Sequence, residues 1–198
     1  SLLFVVLVSL LFIFYSLILY AVHKKKISKK TIWFLIISTI IILNFSYNAF
    51  SYDLFNYMFD AKIVTHYHQN PYLYKALDFP GDPMLSFMHW THRLFPYGPT
   101  WLALTVPLSL GLEFFLPTFF LFKTLVSLSF LGTVFLIGKI LQKTSLSNEV
   151  FGIAFFALNP LVVIEGLVSS HNDMVMMFFV MWAVYLLMNK KYIRSIIL

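Results

Sequence analysis

The sequence predicts an all-α polytopic membrane protein, a helical bundle with outer-face interfacial helices in a large first loop. Three observations predict it. Sixty per cent of the 198 residues are apolar, 11% are charged, and the mean hydropathy is +0.85. A soluble domain of this length needs far more charge to cover its surface. Apolar runs of about 20 residues, the length that crosses a bilayer, recur along the chain. Many of the basic residues sit in short clusters at the ends of those runs, where headgroups and topology account for them. The net charge of +6 therefore does not point to nucleic acid. The lack of cysteine excludes structural disulfides and thiolate metal sites.

Candidate spans cover residues 2–22, 31–50, 117–138, 150–168 and 174–188, and a last one starts near Tyr192. The first run is too long for a cleaved signal peptide and has no small-residue cleavage pattern. No internal repeat or soluble domain interrupts the series. Residues 1–198 read as a single transmembrane domain, the N-terminal part of a longer protein.

Basic clusters set the sides of the membrane. The stretch 23–30, "HKKKISKK", is the strongest and is expected inside. Lys139 and Lys143 follow the third span, and Lys190, Lys191 and Arg194 follow the fifth. With all three clusters inside, an outer loop of about 51–116 results. That parity requires residues 100–116, "TWLALTVPLSLGLEFFL", not to cross. The stretch is short, and Pro107, Gly111 and Glu113 interrupt it, the first two weakening a helix interior. The competing reading is an ordinary short span, which would put Lys139 and Lys143 outside.

The first half of the outer loop carries two acids. Read as a helix at about 100° per residue, residues 51–68 place Asp53, Asn56, Asp60 and Tyr67 on one side. Leu54, Phe55, Met58 and Phe59 fall broadly on the other. This is an amphipathic interfacial helix. Asp53 has a plain structural explanation as a helix N-cap. Asp60, two turns later on the same face, does not share it.

The second half holds rigid turn elements at Asn70-Pro71-Tyr72, Pro80-Gly81-Asp82-Pro83 and Pro96-Tyr97-Gly98-Pro99. His89, His92 and Arg93 lie between them. Two readings compete. With Trp90 and Tyr97 they make an interfacial belt, or they form a phosphate site in which Arg binds bidentately and His assists. His171, Asn172 and Asp173 follow the fourth span, on the same outer face. Their spacing is weak evidence for a metal, so no metal ligand is assigned and a divalent cation is left open. Glu165 lies within that span, where an ionisable group is a functional candidate expected to face the protein interior. Lys123 is its candidate ion partner.

Asp53 in the first large outer loop, "NPY" at 70–72, "YGP" at 97–99 and "NPLVVIEGLVSSHND" at 159–173 together resemble the GT-C superfamily of membrane glycosyltransferases. The arrangement is similar to the polyprenyl-phosphomannose-dependent mannosyltransferases, and it covers nearly all of the chain after Thr31. The family has more spans than this chain shows. The resemblance implies transfer of mannose or another hexose, with inversion, from a polyprenyl-phosphate donor to a glycan or lipid-linked acceptor hydroxyl on the outer face. It assigns the catalytic base to Asp53 and matches the family's later polar loop to His171–Asp173.

The expected catalytic residues are thus Asp53, Asp60 and Asp173, with Asp173 approaching Asp53 across an outer cavity. His89, His92, Arg93, Tyr97, His171, Asn172 and Glu165 are the expected substrate-binding residues. Membrane lipids are the other expected partners. Two other classes compete: a transporter or flippase, which would place charges deep within spans, and an inactive membrane scaffold.

Overall fold

The computed structural model describes residues 2–110 and 114–197. Every element in it is helical. Helix α1, Leu2–His23, exposes most of its apolar surface and buries only Tyr15 and Val22. It ends in a turn at Lys25, which adopts a left-handed φ of 57°. Helix α2, Lys29–Asn44, starts where Ser28 Oγ accepts the Thr31 N–H at 3.1 Å, a standard N-cap. Ile32, Ile36 and Ile40, spaced at i+4, form its buried stripe. The helix stops short of the expected residue 50. Ser46 Oγ turns back to the Leu43 carbonyl at 2.8 Å, and Asn48 donates to the Ser51 carbonyl at 2.9 Å. These local side-chain bonds compete with further helix.

Helix α3, Asp53–Thr65, is the amphipathic helix of the first loop. Its apolar face is buried in protein, where Leu54, Phe55, Met58, Phe59, Ala61 and Ile63 are almost inaccessible. They pack against α4, Pro99–Ser109, and the start of α5, Phe115–Thr144. Phe55 stacks on Phe115 and Phe119 with ring centroids 6.1 Å apart. Tyr67 does not join the acidic face as the wheel suggested. The chain leaves the helix at Thr65, and Tyr67 turns to bond Asp82 Oδ2 at 2.7 Å.

Residues 66–98 form a tied loop. Asp82, buried, pairs with Lys62 and accepts the Met84 N–H at 2.8 Å. Its carboxyl is held below the usual range because the bonds from Lys62, Tyr67 and Met84 outweigh its burial. The Phe95 N–H reaches the Pro71 carbonyl at 3.0 Å, and Tyr72 Oη reaches the Tyr97 carbonyl at 3.1 Å.

With 11 residues, α4 is about 16 Å long, too short to cross a bilayer core of about 30 Å. Gly111 and Glu113, expected to interrupt this stretch, lie outside the described residues. Helix α5, with 30 residues, is long enough. It runs antiparallel to α2. At one end Lys123 Nζ donates to the Ser46 carbonyl at 3.1 Å, and Ser127 donates to Asn44 at 3.1 Å. At the other end Glu149 accepts from Lys29 at 2.6 Å and from Gln142 at 2.8 Å. Lys123 is therefore satisfied by a backbone carbonyl and not by Glu165.

Among the described residues, two helices, α1 and α5, are long and apolar enough to span a membrane. A third candidate is broken. Residues Leu146–Ala157, including α6, Glu149–Ala157, meet Pro160–Val168 at a 54° bend. The bend sits at Asn159-Pro160, where Asn159 Oδ1 caps the Leu161 N–H at 2.9 Å and starts α7, Pro160–Val163. A π-helical turn, Ile164–Val168, follows. Helix α8, Asp173–Met188, is apolar but shorter, and α9, Tyr192–Ile197, ends the described chain. Gly132 on α5 lets α8 approach: a Cβ there would lie 2.5 Å from the Phe178 ring.

Candidate active site

The C-terminal end of α2, the start of α3 and the π-turn before α8 converge. Ser169 Oγ bonds the Ala49 carbonyl at 3.3 Å. Tyr57 Oη donates to Asn172 Oδ1 at 3.3 Å. Non-glycine residues with left-handed backbone flank the junction on both sides, Phe50 at φ 69° and Ser170 at φ 55°. Such strain persists where surrounding packing over-determines it, and it clusters at functional sites. The π-turn is a second feature of that kind.

Asp53 opens α3 at this junction, but its carboxylate does not cap the helix. Ser51 Oγ instead accepts the Asp53 N–H at 3.1 Å. The carboxylate points away, accepting the Trp90 indole N–H at 3.1 Å and lying 3.5 Å from His171 Nδ1. The other face of that imidazole, Nε2, is 3.4 Å from Glu165. The ring thus lies between two carboxylates. Glu165 is exposed, not turned into the protein interior as its place in the run suggested. The π-turn carries it past the packed face and back toward His171, whose N–H reaches the Glu165 carbonyl at 3.2 Å.

A cavity of about 210 Å³ opens beside Asp53. Asp53, Asn56 and Asp60 line it from α3, and Trp90, Arg93, Leu94, Pro96 and Tyr97 from the loop. Arg93 lies with its guanidinium 4.0 Å over the Trp90 ring. Burial pushes the Asp60 carboxyl up to about 7. Burial also raises the Tyr97 phenol, and the negative charges of Asp53, Asp60 and Asp173 add to that rise while a bond to Tyr57 opposes it. Asp173, exposed at the first turn of α8, belongs to the same electrostatic environment as the other two acids. Burial raises the Tyr57 phenol as well.

His89 and His92 are not on the cavity wall. His89 stacks on Tyr52 at 5.3 Å, and His92 sits edge-on to Trp90 at 6.2 Å. Sequence reasoning named Trp90 only as a belt residue, and it missed Tyr57 as a partner of Asn172. The short run "HWTHR" was the available signal for Trp90, because an indole there can both donate to an acid and support an arginine. Among the described residues, no group of three or more His, Asp or Glu is arranged to hold a metal ion.

Membrane-length helices with a carboxylate-lined cavity bordered by a tied loop define a helical membrane protein with a candidate active site. Compared with known families, residues 1–198 match the alpha-(1->6)-mannopyranosyltransferase N-terminal domain, and the chain belongs to that family. It is a glycosyltransferase domain of the mannosyltransferase kind. No curated protein matches it, and no solved structure does.

Proposed function

We propose that this domain transfers mannose from a polyprenyl-phosphate donor to a 6-hydroxyl of a glycan or lipid-linked acceptor, on the outer face of the membrane and with inversion. The observation that carries the reading is the Asp53 carboxylate, turned off its own helix and held by Trp90 and His171 at the mouth of a cavity that also presents Arg93.

Asp53 takes the proton of the acceptor hydroxyl as its oxygen attacks C1 of the sugar. The bond from C1 to the phosphate oxygen breaks, and its electron pair leaves with the lipid phosphate. Arg93 stabilises that departing charge, its guanidinium oriented by the Trp90 face and free of any ion pair among the described residues. His171 and Trp90 orient the base. Asp173, at the start of α8, adds its negative charge to the surroundings of Tyr97. A single displacement inverts C1, so an α-linked product calls for a β-linked donor. α3 and α4 lie at the interface, in a loop on the side opposite the 23–30 basic cluster, where a lipid phosphate and a water-borne hydroxyl meet.

The test uses the intact protein. Asp53→Asn should fold and bind donor but transfer at least about 10²-fold more slowly, the usual scale for a general base. Arg93→Ala should weaken donor use strongly and Arg93→Lys should restore it only in part, because a point charge lacks the planar fork. Near-normal transfer by Asp53→Asn, or unchanged donor dependence in Arg93→Ala, would defeat these assignments.

A further inference from the structure

The α3 wall of the cavity contains two polar side chains that the mechanism above does not use. Asn56 and Asp60 are one turn apart, at i and i+4, so both project to the same side of the helix. Asn56 Oδ1 is buried with no hydrogen-bond partner among the described residues. Asp60 has no hydrogen bond or ion pair there either, and burial alone accounts for its shifted carboxyl. Buried polar atoms are nearly always paired. One such atom on a cavity wall, with a half-buried and unpaired carboxyl one turn further along the same helix, marks a place where a ligand supplies the partners.

The cavity dictates what kind of ligand. At about 210 Å³ it is below the roughly 300–1,000 Å³ of sites for drug-sized molecules, so it suits one sugar ring and not an oligosaccharide. Asp53 lines it from α3 and Arg93 from the loop. In a direct displacement the transferred ring lies between the base with its acceptor and the leaving phosphate. Hydroxyls on that ring are the groups that face α3.

We propose that Asn56 and Asp60 form the hydroxyl-recognition pair for the transferred mannosyl ring. The proposal rests on the reading of Asp53 and Arg93 given above. Asn56 offers an acceptor oxygen and an amide donor, so it can meet one hydroxyl or bridge two. A protonated Asp60 donates to a ring oxygen and an ionised one accepts from a hydroxyl. A site built on such bonds discriminates strongly, because a sugar lacking the matching hydroxyl leaves a buried group unpaired.

The intact protein is assayed with a polyprenyl-phosphate mannose donor and with analogues each lacking one ring hydroxyl. The native protein should reject at least one analogue by about 10²-fold or more in kcat/KM. In Asn56→Leu or Asp60→Asn that rejection should shrink to under about tenfold, while the other analogues keep their order. Asn56→Ala serves where the bulkier leucine prevents folding. Native-like rejection of every analogue by all these variants overturns the proposal. The two readings fail separately. Inactive Asp53→Asn with unchanged discrimination in the α3 variants removes only the recognition pair. Active Asp53→Asn with altered discrimination removes only the base.

Discussion

At the scale of single residues, Asp60 and Trp90 give the sharpest tests. Burial lifts the Asp60 carboxyl from 3.8 to about 7, so between these values the folded protein holds a proton that the unfolded chain has released. Stability from this group therefore falls as pH rises through that window, and is fully lost above about 7. Asp60→Asn is neutral at every pH. Its thermal stability in detergent should match the native protein near pH 4 and exceed it increasingly toward pH 8, by a few kcal/mol at most. A pH-independent difference would mean that the carboxyl is solvated. Trp90 acts through its N–H on Asp53 and through its ring on Arg93. Trp90→Phe keeps an aromatic face and removes the donor. A hydrogen bond to a charged group contributes about 1.5–3 kcal/mol, so transfer should drop roughly 10–100-fold while dependence on Arg93 persists. Loss of Arg93 dependence in that variant would show that the indole acts mainly as a platform.

At the scale of elements, the acidic junction is held by helix contacts remote from the chemistry. α8 presents His171, Asn172 and Asp173 at its start, and it packs along α5. Gly132 is where that approach is tightest, since an added Cβ would meet Phe178 at 2.5 Å. Gly132→Ala should cost about 1–3 kcal/mol as an overpacked contact, visible as a lower unfolding temperature. Phe178→Leu should recover part of the loss by making room. An unchanged unfolding temperature in Gly132→Ala would mean that the Phe178 ring swings aside freely. The broken pair α6–α7 has a local origin. Asn159 and Pro160 end one helix and cap the next, and the π-turn then re-aims Glu165.

At the scale of the whole molecule, the parity of the helices is the property that everything else depends on. Lys29 and Glu149 meet at one end of the bundle, whereas Ser46 and Lys123 meet at the other. Residues 28 and 147 therefore share an end, and the first loop occupies the opposite one. The chain has no cysteine of its own, so single substitutions report cleanly. Exposed Ser86, as Ser86→Cys, should react with an impermeant thiol reagent added outside, and Ser28→Cys and Ser147→Cys should react only after permeabilisation. Labelling of Ser147→Cys from outside would place the ends of α2 and α5 on different faces and break the shared site. Ser170 is unsuitable as a probe because it is buried.

The helical membrane class, the amphipathic first-loop helix and the nearness of Asp53 to the turn that carries His171 were legible in the residues themselves. Apolarity, charge clusters and helical spacing are local properties, and each segment carries them independently of its neighbours. The end of α2 at Asn44 was legible only in part, because it depends on how Ser46 and Asn48 bond their own backbone. Tertiary structure alone decided which groups meet. Asp53 finds the Trp90 indole 37 positions away, and Tyr57 finds Asn172 115 positions away. Likewise, Lys123 takes a carbonyl from the end of α2 and leaves Glu165 to His171. Such pairings follow from how helices pack and where a turn bends, and no single stretch of sequence contains both partners.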